Sequence, residues 1–420
     1  GMAETFERIQ DVKLIIEFNP EMQIVAGLRP DAILKHLDGL GFDVHLLDEE
    51  QRQFCRLRPN TNWDSLIKTG FANLYCIRRE SALSVCFFSH TSGLAGAERM
   101  LLELVDDLVA DHGAVCSVVL PGGGPLVKLL EQAGAACIVA LPFGWWCTDN
   151  GETLADSVKN QAIAENIKLL MSTAMPAVRQ FDPDAVWTQT MVIPWGAVFA
   201  AELGKPHVWY VTEFGERDFG FNFYSPFALM SREIVNSSDL VFTCSKIVAE
   251  TVFPHAYRNR VRVLYCHVPM PAQLTAPDQT SYFRIPGAIK LGIFGQVRPS
   301  KGQQDVVRAM AQLSSRGRNV ELLIAGYGRP ADKQTLVTMI RDLGVEDRVN
   351  LAGFILNPYP AMQAADILIV SSRMEAFGRV GVEAMLLGKP LVFAAAGGIS
   401  EYMIDGRTGL SYTPGDVDGL

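Results

Sequence analysis

The chain has 420 residues, 49% of them hydrophobic and 20% charged, with a formal net charge of −9. At about 100–200 residues per domain this length predicts two or three domains, and the apolar content excludes a disordered chain. The acidic balance argues against a protein whose main partner is a nucleic-acid backbone or an anionic membrane, so any basic site is local.

No apolar run has the length of a membrane helix, and GMAETFERIQD lacks a basic-then-apolar signal pattern. A cytoplasmic protein without a transmembrane segment is expected, with at most transient membrane contact. Gly1 before Met2 reads as a residue left by tag cleavage. The eight cysteines (Cys55, Cys76, Cys86, Cys116, Cys137, Cys147, Cys244, Cys266) form no CxxC pair and no cluster with histidine. Buried free thiols are predicted, with neither a zinc site nor a disulfide framework.

Residues 1–80 read as a separate α/β appendage: VKLIIEFNP, DAILKHLDGLG and FDVHLLD give strand, helix, strand, and FANLYCIRR adds a strand. From residue 81 short apolar runs alternate with amphipathic stretches, the rhythm of a parallel sheet covered by helices. VCFFSH (85–90) precedes ERMLLELVDDLVADHG (98–113), where Leu101, Leu104, Val105 and Leu108 recur at helical spacing. Glu103, Asp106, Asp107 and Asp111 fall on other faces, so this acidic helix is expected to cover a sheet.

The rhythm appears twice. AELGKPHVWYVTEFG (201–215) and LLGKPLVFAAAGG (386–398) both read helix, Gly-Lys-Pro, strand, and SSDLVFTCS (237–245) echoes AADILIVSS (364–372). Two facing α/β domains are therefore expected, 81–268 and 288–420, joined by a Pro-rich linker at 269–287. Ligands of open parallel sheets bind beyond the C-terminal strand ends, which directs the search to those loops.

In IKLGIFGQVRPSKGQQDVVRAM (289–310), Arg298 and Lys301 stand on the loop between a strand and a helix start. Cations beside unpaired helix N–H groups suit a diphosphate, and a solvated basic turn is the plain alternative. VELLIAGYGRPAD (320–332) holds Gly326 and Gly328 without a complete GxGxxG, and the Walker, HExxH and GxSxG patterns are absent. In SSRMEAFGRVGVEAMLLGKP (371–390), Glu375 lies on a loop and Glu383 in a helix starting near Gly378. On one helix they would stand about 12 Å apart along its axis, too far for the paired carboxylates of a retaining glycosidase. One can meet a sugar hydroxyl and the other a second polyol, or either can simply favour a helix dipole.

The E-x7-E element from Glu375 to Glu383, followed by GKPLVFAAAGGISEYMIDGRTGLSYTPGD (388–416), resembles the retaining nucleotide-sugar glycosyltransferases of group 1, or family 4. The resemblance runs from about residue 84 to 420 and implies a GT-B fold, two Rossmann-like domains facing across a cleft. It implies a metal-independent hexosyltransferase without a cofactor. Such an enzyme moves a sugar from a UDP or GDP donor to a glycan, lipid-linked or other hydroxyl acceptor, as in polysaccharide biosynthesis. It further implies that Glu375 lies beside the transferred sugar, that Glu383 binds the ribose, and that the backbone of Phe377, Gly378, Arg379 and Val380 meets the diphosphate. Arg298 and Lys301 would neutralise that diphosphate, and Gly353 and Phe354 would border the base.

HTSGLAGAERMLLEL (90–104) resembles the Gly-rich loop ahead of the first helix of the family's acceptor-side domain, with Gly96 and Glu98 at the matching places and Gly96 implied in donor binding. Where many members carry His and an acidic residue, this chain has Thr212 and Glu213, the latter a catalytic candidate. Gln296 replaces an arginine common after the phosphate-loop glycine. These two departures motivate an alternative, a sugar-nucleotide-binding protein impaired in transfer. Residues 12–80 resemble the tail of an S-adenosylmethionine-dependent methyltransferase domain without its cofactor loop, so no methylation is assigned. Family members usually continue past the point where Leu420 stands, so a longer native chain is expected at both ends.

Overall fold

The computed structural model describes residues 13–19, 31–39, 41–48, 53–57, 72–78, 82–149, 151–270 and 282–420. They fall into two compact units, 1–82 and 83–420. Most of the expected linker lies outside the described residues.

The described residues of the first unit form four strands: β1 (Lys13–Phe18), β2 (Phe42–Asp48), β3 (Gln53–Leu57) and β4 (Ala72–Arg78). They pair antiparallel in the order β1-β4-β2-β3, and a helix spans Asp31–Gly39. Along β2, Phe42, Val44 and Leu46 are buried while Asp43 and His45 are not, the alternation of a sheet with one covered face. Leu34 and Leu37 of the helix join these residues in one core. β3 was passed over in the sequence because Gln53 and Arg56 interrupt its apolar residues.

The second unit carries two wholly parallel sheets. The first comprises β5 (Ser84–Phe88), β6 (Val115–Leu120), β7 (Ala136–Val139), β9 (Ala185–Gln189), β10 (His207–Val211), β12 (Leu240–Thr243) and β13 (Val261–Val263). Their order is β13-β12-β10-β9-β5-β6-β7; a separate ribbon pairs β8 (Cys147–Thr148) with β11 (Asn222–Phe223). The second sheet comprises β14 (Ile289–Phe294), β15 (Val320–Ala325), β16 (Val349–Gly353), β17 (Ile367–Val370), β18 (Leu391–Ala394) and β19 (Leu410–Tyr412), ordered β16-β15-β14-β17-β18-β19.

Counted from its own first strand, each sheet runs 3-2-1-4-5-6, the doubly wound Rossmann order, and the first adds a seventh strand, β13, beyond the sixth. The expected α/β class with two Rossmann-like lobes is what the chain forms. The Gly-Lys-Pro segments are true counterparts: Gly204 and Gly388 both take φ +63° after a helix and lead into the fifth strand of each sheet. The second echo is corrected. SSDLVFTCS builds a sixth strand and AADILIVSS a fourth, so their likeness reflects a common helix-to-strand junction.

Burial follows from this architecture. Every residue of β15 is buried, as a central parallel strand covered on both faces should be. Its one charge, Glu321, accepts the backbone N–H groups of Arg284 (2.8 and 2.9 Å) and Ile285 (2.9 Å), which offsets its desolvation and anchors the chain entering this lobe. Seven cysteines among the described residues are free, five of them buried. Among the described residues, no helix is long and apolar enough to cross a membrane, and no group of His, Cys, Asp and Glu could hold a metal ion.

Candidate functional site

In each sheet the order reverses between the first and fourth strands, and the loops leaving those strands flank the crevice where ligands of doubly wound folds bind. In the second sheet these are the loops after β14 and β17, and they carry the residues singled out in the sequence. Lys301 ends a 3-10 turn at Pro299–Lys301, just before the Gln303–Ser315 helix. Its Nζ lies 3.1 and 2.9 Å from Oε1 and Oε2 of Glu375, which also accepts from Ser372 Oγ at 2.6 Å.

Glycines interlock the loop after β17 with the loop after β14 on one side and with the loop after β18 on the other. A Cβ on Gly302 would stand 2.0 Å from the Ser371 carbonyl oxygen, and one on Gly397 would stand 2.1 Å from that of Glu375. Both glycines have positive φ, +69° and +77°. Ser371 Oγ donates to the Lys301 carbonyl at 2.7 Å and Gly398 N–H to that of Glu375 at 2.7 Å, so the cation and the carboxylate are fixed from both sides.

Gly378, at φ +89°, caps the Arg379–Leu386 helix, and its carbonyl accepts from the Tyr402 hydroxyl. In the first helical turn the Gly381 N–H donates to the Gly378 carbonyl at 2.9 Å, while the N–H groups at its very start, of Arg379 and Val380, point out of the helix end and are suited to an anion. Ala376 and Phe377 are buried among residues of the first lobe's core, with the Phe377 ring 5.2 Å from Tyr402 and 6.2 Å from Tyr265. Val380 packs into the second lobe's own core. Glu383, inside the helix, is 6% exposed; burial raises its pKa, opposed by the positive charges of Arg379 and Arg99.

Other predicted residues lie around this centre. Arg298 is 7% exposed, with its guanidinium 5.0 Å from the Phe219 ring centroid and donating to the Phe219 carbonyl at 3.1 Å. Burial, then the charge of Arg329, lowers its pKa. Gly353 has φ +69° and its carbonyl accepts from Gly326 N–H, while Phe354 beside it is half exposed. Gly96 opens the Gly96–His112 helix of the first lobe opposite Arg379, whose Cδ is 4.0 Å from where a Cβ on Gly96 would be.

Glu213 is 5% exposed and takes hydrogen bonds from Met191 N–H (2.6 Å), Thr212 N–H (3.1 Å) and Thr212 Oγ1 (2.5 Å). Burial pushes its carboxyl up to about 7 against those bonds. These contacts tie the ends of β9 and β10 together. Thr190, next to Met191, holds φ +71°, a strained conformation for a β-branched residue at the first lobe's own reversal point.

His207 is structural: its ring nitrogens meet Thr188 Oγ1, the Ser237 carbonyl and Ser238 Oγ, and burial lowers it to about 4. His90 sits at the end of β5 with Nε2 3.3 Å from Glu98 Oε1 and its ring 5.4 Å from that of Trp145. Burial lowers its pKa, so the neutral ring is favoured.

Two residues were missed in the sequence. Asp218, five residues past Glu213, accepts from Phe214 N–H at 3.0 Å through Oδ2, while Oδ1 is buried without a hydrogen-bond partner. Burial pushes it up to about 6, the Lys301 charge opposing and that of Glu375 adding. Glu103, read as one acid among several on a sheet-covering helix, instead pairs with Arg379: Nη1 to Oε2 at 2.6 Å and Nη2 to Oε1 at 2.7 Å. Burial pulls the Arg379 pKa down, but the Glu103 bonds and the Glu103 and Glu383 charges leave it raised.

The molecule is thus a two-lobed GT-B structure whose reversal-point loops bring Lys301, Glu375 and the start of the Glu383 helix together. It is similar to HepE from Anabaena in complex with UDP and glucose, with a TM-score of 0.64 at 23% identity over 80% of this chain and 88% of that one. Sucrose-phosphate synthase from Thermosynechococcus elongatus gives 0.59 at 18% identity, over 80% and 88%. Residues 283–420, which hold the second lobe, match the family model of glycosyl transferases group 1.

Among curated relatives, the D-inositol 3-phosphate glycosyltransferase of Corynebacterium efficiens is 36% identical over 126 residues, 28% of this chain and 29% of the relative. That of Mycolicibacterium smegmatis is 29% identical over 195 residues, 43% of each. The α-D-kanosaminyltransferase of Streptomyces kanamyceticus is 34% identical over 122 residues, 29% of this chain and 31% of the relative. The matches thus span less than half the length of these relatives.

Proposed function

We propose that this protein is a glycosyltransferase that moves a sugar from a nucleotide-diphosphate donor to a hydroxyl acceptor with retention of anomeric configuration. The observation that carries the reading is the Lys301–Glu375 pair at the reversal point of a lobe that matches the model of glycosyl transferases group 1.

In this reading Lys301 and the first-turn N–H groups of the Arg379–Leu386 helix balance the charge that develops on the departing diphosphate. Glu375, already oriented by Lys301 and Ser372, faces the transferred sugar, and Glu383 accepts the ribose hydroxyls. Gly353 and Phe354 border the base, and Arg298 adds positive charge at the loop. The acceptor hydroxyl attacks from the face the phosphate leaves, and a leaving-group oxygen takes its proton. The complexes of HepE with UDP and with UDP-glucose make uridine diphosphate sugars the first donors to test.

The test is to incubate the full chain with a panel of UDP and GDP sugars, with and without glycan and polyol acceptors, and to measure nucleoside diphosphate release. Release that rises with acceptor, gives a product of retained configuration and is unchanged by EDTA is expected. No binding and no release with any donor would refute the reading. One observation favours a second reading, a binder impaired in transfer: where the family often has histidine, the Thr212 hydroxyl is taken up by Glu213. Donor binding without acceptor-dependent release would support it.

A further inference from the structure

The Glu103–Arg379 pair joins the two lobes. Both forks of the guanidinium are engaged, at 2.6 and 2.7 Å, and the side chains are only 14% and 10% exposed. Bidentate geometry in a desolvated setting makes such a pair strong and directional, and makes its rupture costly because a charge is left buried alone. The same guanidinium donates to the His267 carbonyl at 3.3 Å and lies 3.7 Å from Glu383 Oε1.

Glu103 does not act alone on its helix. Gly96 faces the Arg379 side chain, and Arg99 donates to the Leu356 carbonyl of the second lobe at 2.7 Å. Gly96, Arg99 and Glu103 recur at spacings of three and four residues, which places them on one face of the helix. This face meets the second lobe, in place of the purely sheet-covering role expected of the helix. Because Glu103 occupies both forks, the Arg379 side chain is committed to the first lobe, and what this residue offers a phosphate is its backbone N–H.

We propose that Glu103 is a positioning residue that acts through Arg379 on Glu383, so that the carboxylate read above as the ribose acceptor is held in place by the opposite lobe. The proposal rests on that reading of Glu383. Glu103 touches no substrate. Its removal leaves Arg379 free to fold onto Glu383 and occupy the oxygens the ribose needs.

The test compares affinities of the full chain for UDP and 2′-deoxy-UDP by calorimetry, in the wild type and in Glu103→Gln, Glu103→Asp and Glu383→Gln. A coupling of the usual size between contacting groups predicts that Glu103→Gln lowers the preference for the ribonucleotide by about fivefold or more. Glu103→Asp, which keeps the charge, should retain an intermediate preference. A purely structural role for Glu103 would lower melting temperature without moving this ratio. A folded Glu103→Gln with wild-type preference overturns the proposal while leaving the ribose role of Glu383 intact. If Glu103→Gln does not fold, a Glu103→Asp variant with undiminished preference does the same. If Glu383→Gln keeps the wild-type preference, the reading of Glu383 itself fails, and the proposal with it.

Discussion

Lys301 Nζ stands 2.9 Å from Glu375 Oε2, and the two residues come from the loops that follow the first and fourth strands of one sheet. They are 74 positions apart in the chain, and the strand order makes them neighbours. A cation and a carboxylate held this way are a preorganised site, because neither has to be brought in when a ligand arrives.

Lys301→Ala should weaken binding of a nucleoside diphosphate by about tenfold or more, since a charge-assisted contact to phosphate is lost. Binding of the bare nucleoside should change much less. Calorimetry with UDP and uridine measures both; equal losses would remove Lys301 from the phosphate site.

Gly397→Ala should cost more than about 2 kcal/mol and abolish transfer, because the new Cβ must displace the Glu375 carbonyl at a left-handed backbone position. Gly415→Ala, at φ +85° with open space around it, pays only the backbone strain, about 1 kcal/mol. Chemical denaturation of the two variants measures the difference. Equal costs would mean that the loops after β17 and β18 are not interlocked as described.

Asp218 carries a pH signature. Its carboxyl is raised by burial from 3.8 to about 6, so the folded chain holds the proton more tightly than the unfolded chain. The stabilisation is complete below the unfolded value and is lost as pH rises through the folded one. Asp218→Asn keeps an acceptor for Phe214 N–H and cannot ionise. Relative to the wild type it should gain on the order of 2 kcal/mol between pH 4 and 7 and nothing further above. Parallel stability profiles for the two proteins across that window would contradict the burial of this carboxyl.

Much of the candidate site was legible because its residues cluster in short segments whose chemistry shows locally: a strand, a glycine, a basic turn and a helix start around Lys301, and the E-x7-E segment around Glu375. The two lobes were legible because apolar runs and helical periodicity repeat. What escaped depended on contacts between distant segments. Glu103 and Arg379 are 276 positions apart, and nothing on the acidic helix distinguishes Glu103 from Asp106 or Asp107 until the second lobe lies against it. Asp218 lies just past the Thr212-Glu213 loop, and its buried, unpartnered oxygen is a property of packing. The mismatched echo of residues 237–245 and 364–372 shows the limit of local likeness: similar junctions serve a sixth strand in one lobe and a fourth in the other.

The most direct measurement is a crystal structure of the full chain with a nucleoside diphosphate sugar. The account predicts the diphosphate against Lys301 and the backbone N–H groups of Gly378 to Val380, the ribose hydroxyls on Glu383 and the sugar beside Glu375. A nucleotide bound anywhere else, with the Lys301–Glu375 pair untouched, would contradict it.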